Sequence, residues 1–363
     1  MKLLQVTSHY LPVQGGQEVY IQSMNKLLND FGISTDVVQP FSRHVRTRPA
    51  NVYMLPRLPY LHHVIHDINW FWFNAMLSFF RNRIKCYDVV ISHYAFHAEM
   101  LREARKLIVL SHGVDWQRPA KTMADRYRAL MASKTAAAGS IIVANDTDYL
   151  RMIGCPVEPA EKYFEEVAPG RWFIPNCVDV DKYQPGLDQN RERIILVPRN
   201  IRWARGIHLA IEAFQDFSRN YQNFKLVIAG GPLTGRYFRY CSELIKKLDL
   251  EDRIVWEGSV PQEKIIQYYQ KATITLIPTL ALEGTSLSAL ESMAAKTPVV
   301  STNVGGLADL PTVQSDPVAA QLAGKLRYVM DNYGKVRAEQ YHQTRDIFNM
   351  DNWGKAWLKV VRS

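Results

Sequence analysis

Cysteine is scarce: Cys86, Cys155, Cys177 and Cys241 are spread along 363 residues with no Cys-x-x-Cys pair. That argues against a disulfide scaffold or a structural zinc site and fits a reducing compartment, so a cytoplasmic protein is expected. Long apolar runs are also lacking. The most hydrophobic stretch, Val64 to Phe80, carries Trp70, Phe71, Trp72, Phe73, Phe79 and Phe80, but His66, Asp67, Asn69 and Asn74 interrupt it too often for a membrane-spanning helix. The opening Met1-Lys-Leu-Leu-Gln-Val6 has too short an apolar run for a secretory signal and reads as a strand. Acid is in deficit, with 35 Asp and Glu against 44 Lys and Arg, a formal charge of +9. Much of the excess lies between residues 41 and 85, where Arg43, Arg46, Arg48, Arg57, Arg81, Arg83 and Lys85 face the single acid Asp67.

What is present is the composition of a soluble globular chain, 47% hydrophobic and 22% charged, long enough for two domains at ~150 residues each. Short β-branched runs followed by a turn and a helix recur along it. They include Leu3–Val6, Thr35–Val38, Asp88–Ser92, Leu107–Ser111 and Ile141–Val143 in the first half. Ile194–Val197, Leu226–Ile228, Ile254–Trp256, Ile274–Ile277 and Val299–Val300 follow in the second. This alternation predicts parallel sheets of the α/β class. A Pro/Gly/Asn-marked crossing, Ile174-Pro-Asn-Cys-Val-Asp179 and Tyr183-Gln-Pro-Gly186, separates the halves. The expected division is 1–178, 179–345 and a terminal helix over 346–363.

The turns carry the chemistry. The stretch Glu283-Gly-Thr-Ser-Leu-Ser-Ala-Leu-Glu291 reads as a loop leading into a helix that Pro298 terminates. Two acids then bracket a helix N-terminus whose free amides, at Ser286, Leu287 and Ser288, suit a diphosphate. An acid for a sugar hydroxyl, amides for phosphate and an acid for ribose describe a nucleotide sugar. The bland alternative is a capping box, Ser288-x-x-Glu291, beside a solvated loop acid at Glu283. Arg199 and Arg205 share the loop Pro198-Arg-Asn-Ile-Arg-Trp-Ala-Arg-Gly206 beside another helix start, an anion site by virtue of two guanidiniums. Gly15-Gly16 lets backbone approach a ligand or simply makes a tight turn, and His112-Gly113 at a strand end is either a ligand contact or a satisfied structural histidine.

For the aromatic stretch with its basic neighbours two readings stand: a helix with its rings in the first core, or a surface attracted to an anionic bilayer. The histidines His62, His63, His66, His93 and His97 lack carboxylates or thiolates at metal-ligand spacing. Asp146-Thr-Asp148 and Asp179-Val-Asp181 match an Asp-x-Asp metal motif in form, but their positions read as a helix cap and a linker turn.

The segment from Glu283 to Val300, with Arg199 to Gly206, resembles the Glu-x7-Glu signature of the retaining glycosyltransferase family 4. Many members have Phe-Gly where Thr285-Ser286 stands, and Lys-Gly where Arg205-Gly206 stands. The resemblance implies the GT-B fold, two Rossmann-like β/α/β domains facing each other across a cleft, with the terminal helix crossing back to the first. It also implies α-linked transfer from a nucleotide-diphosphate sugar to a hydroxyl of a glycan, glycolipid or lipid-linked acceptor, with no metal or other cofactor. On that basis Glu283 and His112 contact the sugar, Arg199 and Arg205 the departing diphosphate, Glu291 the ribose, Gly15 and Gly16 the donor phosphates and acceptor, and Gly258 and Val260 the base. The pathway expected is surface-polysaccharide or lipid-linked glycan assembly, with peripheral contact to an anionic membrane through residues 41–85. No nucleic-acid partner is expected. A non-catalytic nucleotide-sugar-binding subunit and a GT-B nucleotide-sugar epimerase are the competing expectations.

Overall fold

The computed structural model describes residues 1–12, 15–57, 68–113, 122–155, 157, 162–281 and 283–363. The chain divides into two compact units, Met1–Ile174 with Gly354–Ser363, and Pro175–Trp353.

Among the described residues, unit 1 is built on an eight-stranded sheet. Its strands are β1 (Lys2–Val6), β2 (Ser34–Pro40), β3 (Val52–Leu55), β4 (Val89–Ser92), β5 (Leu107–Ser111), β6 (Ile141–Ala144), β7 (Glu165–Ala168) and β8 (Arg171–Phe173). The order is β3-β2-β1-β4-β5-β6-β8-β7. Among the described residues only β7 runs antiparallel, a hairpin edge on β8. β4 is buried along its whole length, as a sheet covered on both faces requires. The helix Ile68–Phe79 supplies Phe73 and Leu77, 1% and 0% exposed, to a core with Leu4, Val6 and Val90. The same helix leaves Phe71 52% and Phe79 83% exposed, so it has both a core side and an apolar surface. Trp70 carries the Arg128 guanidinium 3.7 Å from its ring centroid.

Unit 2 holds a six-stranded, wholly parallel sheet. It comprises β9 (Glu192–Val197), β10 (Lys225–Ala229), β11 (Ile254–Gly258), β12 (Ala272–Ile277), β13 (Val299–Thr302) and β14 (Val313–Ser315). The order β11-β10-β9-β12-β13-β14 is the doubly wound one, in which the strand order reverses between β9 and β12. Its core joins Ile195, Val197, Ile274 and Leu276 to Phe214 and Phe217 of the helix Ile207–Ser218. Short edge strands β3, β7 and β14 carry too little apolar alternation to be read from sequence, and none of them was expected.

The terminal helix Met350–Arg362 packs in unit 1 from Gly354 onward. Trp357 is fully buried there, and its indole N–H donates to the Tyr20 hydroxyl at 2.8 Å. The Lys106 ammonium caps the helix end by donating to the Val360 and Val361 carbonyls at 2.8 and 3.1 Å, where the macrodipole favours a cation. Trp357→Ala is therefore expected to cost about 3–5 kcal/mol. Denaturant unfolding followed by a probe confined to unit 1 checks this.

Candidate active site

The sheets set the positions. In unit 2 the strand order reverses between β9 and β12, so the turns after those strands diverge and leave room for a ligand beyond their carboxyl ends. Arg199 follows β9 and Glu283 follows β12, which makes neighbours of two residues 84 positions apart.

Glu283 is 7% exposed and its carboxylate pairs with both Arg199 and Arg205. Arg199, 8% exposed, also donates to the Thr279 hydroxyl at 2.8 Å. Burial pushes the Glu283 carboxyl up, but the Arg199 and Arg205 guanidiniums outweigh it and hold the group below the ordinary carboxylate range. Two guanidiniums against one carboxylate leave this trio net positive.

Glycines hold the loops together. Gly206 sits at φ +66°, and a Cβ there would run into the Pro278 carbonyl. Cβ atoms on Gly305 and Gly306 would meet the backbone of Glu283 and Gly284, and the Gly306 N–H donates to the Glu283 carbonyl at 2.9 Å. Gly230 comes equally close to the Arg199 carbonyl. The charged side chains are thus fixed by backbone contacts that no larger residue permits.

The helix Leu287–Ala294 has Ser286 at its N-cap, and the Ser286 side chain accepts from none of its first amides. The capping box does not form: Ser288 lies inside the first turn. Instead the Glu291 carboxylate accepts from the Tyr183 and Tyr269 hydroxyls at 2.8 and 2.9 Å. Burial raises the Glu291 carboxyl above its usual range, with the two tyrosine hydroxyls opposing. Neither tyrosine was expected at the site. Tyr183 comes from the crossing segment and Tyr269 from the helix Gln262–Lys271, and no spacing in the sequence ties either to Glu291.

Thr285 is turned to another task. Its hydroxyl accepts from the Asn176 backbone N–H at 2.7 Å, which ties the crossing segment to the Glu283 loop. Gly258, at φ +69°, ends β11, with Val260 just after it, two strands from β9 in the sheet order.

In unit 1, Gly15 is the N-cap of the helix Gly16–Asp30, and a Cβ on it would come within 2.9 Å of the Glu18 carboxylate. Gln17 anchors this first turn, accepting from the Tyr94 hydroxyl and donating to Thr7 Oγ1 at 3.0 Å. His112 directly follows β5 and is 7% exposed, with its Nε2 3.0 Å from Nδ1 of the fully buried His93. Burial lowers the His112 imidazole to about 3, so it is neutral at physiological pH. A neutral ring of such low basicity suits hydrogen bonding to a hydroxyl better than proton abstraction. The sequence-derived residues thus form two sets: Gly15, Gly16 and His112 in unit 1, and Arg199, Arg205, Gly258, Val260, Glu283, Ser286, Leu287, Ser288 and Glu291 in unit 2.

Among the described residues no group of His, Cys, Asp or Glu could hold a metal ion. His62, His63 and His66 lie outside the described residues. Asp146 caps the helix Thr147–Met152 by accepting from the Tyr149 N–H at 2.7 Å. Asp179 accepts from the Asp181 and Lys182 N–H groups at 3.1 and 3.0 Å in the crossing segment.

Residues 180–345 match the family described as Glycosyl transferases group 1. A D-inositol 3-phosphate glycosyltransferase of Acidothermus cellulolyticus is 26% identical over 313 residues, covering 76% of this chain and 67% of that protein. Its counterpart in Corynebacterium urealyticum is 22% identical, over 100% of this chain and 96% of that one. Among solved structures, sucrose-phosphate synthase from Thermosynechococcus elongatus superposes with TM-score 0.78 at 17% identity, covering 99% of this chain and 98% of that one. Anabaena HepE in complex with UDP and glucose superposes with TM-score 0.75 at 14% identity, with both chains covered completely. At these identities the solved structures speak for the fold alone, which is GT-B. The match over residues 180–345 and these relatives support a glycosyltransferase of the GT4 type.

Two outcomes follow for the ion group. Gly206→Ala is expected to destabilise the protein by at least about 1–3 kcal/mol, through a left-handed backbone and a clash with Pro278, as measured by chemical unfolding. Because the Glu283 carboxyl is depressed in the fold, its contribution to stability is complete above the ordinary value of 4.5 and fades as pH falls through the lower folded value. Unfolding curves from pH 6 downward should therefore show less loss of stability below about pH 4.5 in Glu283→Gln than in the wild-type chain.

Proposed function

We propose that this glycosyltransferase is a retaining, metal-independent enzyme that moves a sugar from a nucleotide-diphosphate donor to an acceptor hydroxyl, leaving an α-linkage. The observation that carries the reading is the buried Arg199–Glu283 pair, joined by partly exposed Arg205, beside the N-terminus of the helix Leu287–Ala294, which its N-cap side chain leaves open.

The chemistry follows from an exchange of partners. A bound diphosphate offers the guanidiniums more negative charge than one carboxylate does, and the first-turn amides at Leu287 and Ser288 add donors for its oxygens. Glu283, released from part of its pairing, accepts a hydrogen bond from a hydroxyl of the donor sugar. As the glycosidic C–O bond breaks, negative charge grows on the phosphate oxygen, and Arg199 and Arg205 stabilise it without a metal. The departing phosphate takes the proton of the acceptor hydroxyl, which attacks from the same face. Catalysis then consists of positioning and electrostatic stabilisation.

Glu291, held by Tyr183 and Tyr269, accepts from the ribose hydroxyls, while Gly258 and Val260 offer backbone groups to the base. Gly15 and Gly16 admit the phosphates and the acceptor, and neutral His112 hydrogen-bonds the sugar. HepE, a protein of the same fold, was solved in complex with UDP and glucose, which supports a nucleotide-sugar donor.

The acceptor belongs to lipid-linked or surface-glycan assembly in this reading. Its support is exposed Phe71 and Phe79 on a helix followed at once by Arg81, Arg83 and Lys85, whose three positive charges the ion-paired Glu103 only partly offsets, a segment suited to anionic lipid. An alpha-monoglucosyldiacylglycerol synthase of Streptococcus pneumoniae is 30% identical over 112 residues, 31% of this chain and 24% of that protein. Among the described residues no helix is long and apolar enough to cross a membrane.

Incubation with a panel of UDP-, GDP-, ADP- and TDP-sugars should release nucleoside diphosphate with the cognate donor and an acceptor, undiminished by EDTA. Release of none indicates a non-catalytic binding subunit, and an isomerised sugar still attached to its nucleotide indicates an epimerase. Glu283→Gln and Arg199→Ala should each lower kcat at least about a hundredfold. Glu283→Ala should bind free nucleoside diphosphate as tightly as the parent or more so, since it removes the competing carboxylate. Tyr269→Phe should raise KM for the donor more than it lowers kcat. Flotation with anionic liposomes at low salt should retain the wild-type chain and lose Phe71→Ser/Phe79→Ser; equal behaviour on neutral lipid removes the membrane reading.

A further inference from the structure

A buried polar chain runs from the carboxyl end of β5 into unit 1 and back to its surface. His112 Nε2 lies 3.0 Å from His93 Nδ1, and His93 Nε2 lies 2.8 Å from Gln5 Oε1. The Gln5 amide donates to Asn25 Oδ1 at 2.7 Å, and the Asn25 amide donates to the Tyr10 hydroxyl at 3.3 Å. The two imidazoles are nearly coplanar in orientation, 8° apart, as an in-plane N–H···N bond requires. Gln5 and His93 are fully buried, and of the two imidazoles only that of His112 reaches the surface.

The direction of this chain can be read link by link. Gln5 uses its NH2 group on Asn25, so its Oε1 accepts, and the proton between Gln5 and His93 belongs to His93 Nε2. Burial lowers the basicity of both imidazoles, and His112 and His97 further disfavour a charge on His93, so both rings are neutral with one N–H apiece. His93 Nδ1 is therefore a lone pair, and the proton shared with His112 belongs to His112 Nε2. What remains to His112 is an unprotonated Nδ1.

We propose that His93, oriented by Gln5 and Asn25, is a positioning residue that fixes His112 as the Nε2–H tautomer and presents Nδ1 as a hydrogen-bond acceptor for a hydroxyl of the bound sugar. This rests on the reading of His112 as a sugar contact. A ring in the opposite tautomer would offer an N–H where the sugar offers an O–H only by giving up the sugar's proton to another partner. The inward chain thus selects sugar hydroxyls that donate. Reversing the tautomer requires the amides of Gln5 and Asn25 to turn over together, with the Tyr10 hydroxyl then donating inward.

Long-range proton–nitrogen correlation spectra of the full chain, labelled with nitrogen-15 at histidine and assigned with His93→Gln and His112→Gln, test the tautomer without any assay of activity. The expected pattern is neutral His112 protonated at Nε2 and bare at Nδ1 at neutral pH. Protonation at Nδ1, or on both nitrogens, overturns the proposal. In kinetics, His93→Leu deletes both links and should lower kcat for transfer about tenfold with little change in donor KM. His93→Gln can accept from His112 and donate to Gln5, and should restore most of that loss. Equal impairment of the two variants, with both folded by circular dichroism, assigns His93 a packing role and overturns the proposal. Should the wild-type chain show the expected spectrum but transfer no sugar, the tautomer stands and the glycosyl-transfer reading of His112 fails.

Discussion

The unit 2 site depends on one electrostatic arrangement: a carboxylate and two guanidiniums taken largely out of water at the ends of β9 and β12. Such a group is costly to bury, because each ion loses its hydration and only mutual pairing offsets the loss. Removing one member leaves an uncompensated charge in a poor solvent. The surrounding backbone accordingly allows little movement, with Gly206, Gly230, Gly305 and Gly306 each closing against the loops that carry Arg199 and Glu283. In the proposed reaction this rigidity would also serve function, since charges held in place need not reorganise when negative charge grows on a leaving phosphate.

The two units treat buried polarity differently. Unit 2 concentrates full charges, whereas unit 1 gathers neutral groups, with His93, His97 and His112 all depressed by burial. His97 is held between Ser8 at 3.0 Å and the Asn74 amide oxygen, so the unit 1 histidines are knit into hydrogen bonds rather than ion pairs. Anionic donor groups call for the first kind of environment and sugar hydroxyls for the second. In the proposed reaction this division would suit a donor-binding domain and a domain that meets the sugar and acceptor.

Much of the scaffold was legible in the sequence because buried parallel strands leave a strong local signal. Val89–Ser92 and Leu107–Ser111 are continuous apolar runs, and each hands over to a glycine, proline or histidine turn. The edge strands β3, β7 and β14 were not legible, since their half-exposed faces need no such run. Arg199, Arg205 and Glu283 stood out by their place in loops at strand ends. The partners of Glu291 did not: Tyr183 and Tyr269 lie 108 and 22 positions from it, and only packing of the crossing segment and a neighbouring helix delivers their hydroxyls.

Glu283–Glu291 shows the division most clearly. From the sequence came two acids around a helix start, a description that a capping box satisfied as well as a ligand site did. Local spacing cannot separate those readings, because Ser288 and Glu291 are one helical turn apart in either case. The tertiary structure removed the capping box by giving Glu291 two tyrosine hydroxyls, and it paired Glu283 with two guanidiniums, all from segments remote in the chain. The sequence by itself determined the alternation of strands and helices, the location of the charged turns and the family resemblance, all of which are encoded in contiguous residues. Only the tertiary structure decided which charges are paired, which histidine is fixed by which amide and which glycines admit no side chain, because those are contacts between segments that chain order does not bring together.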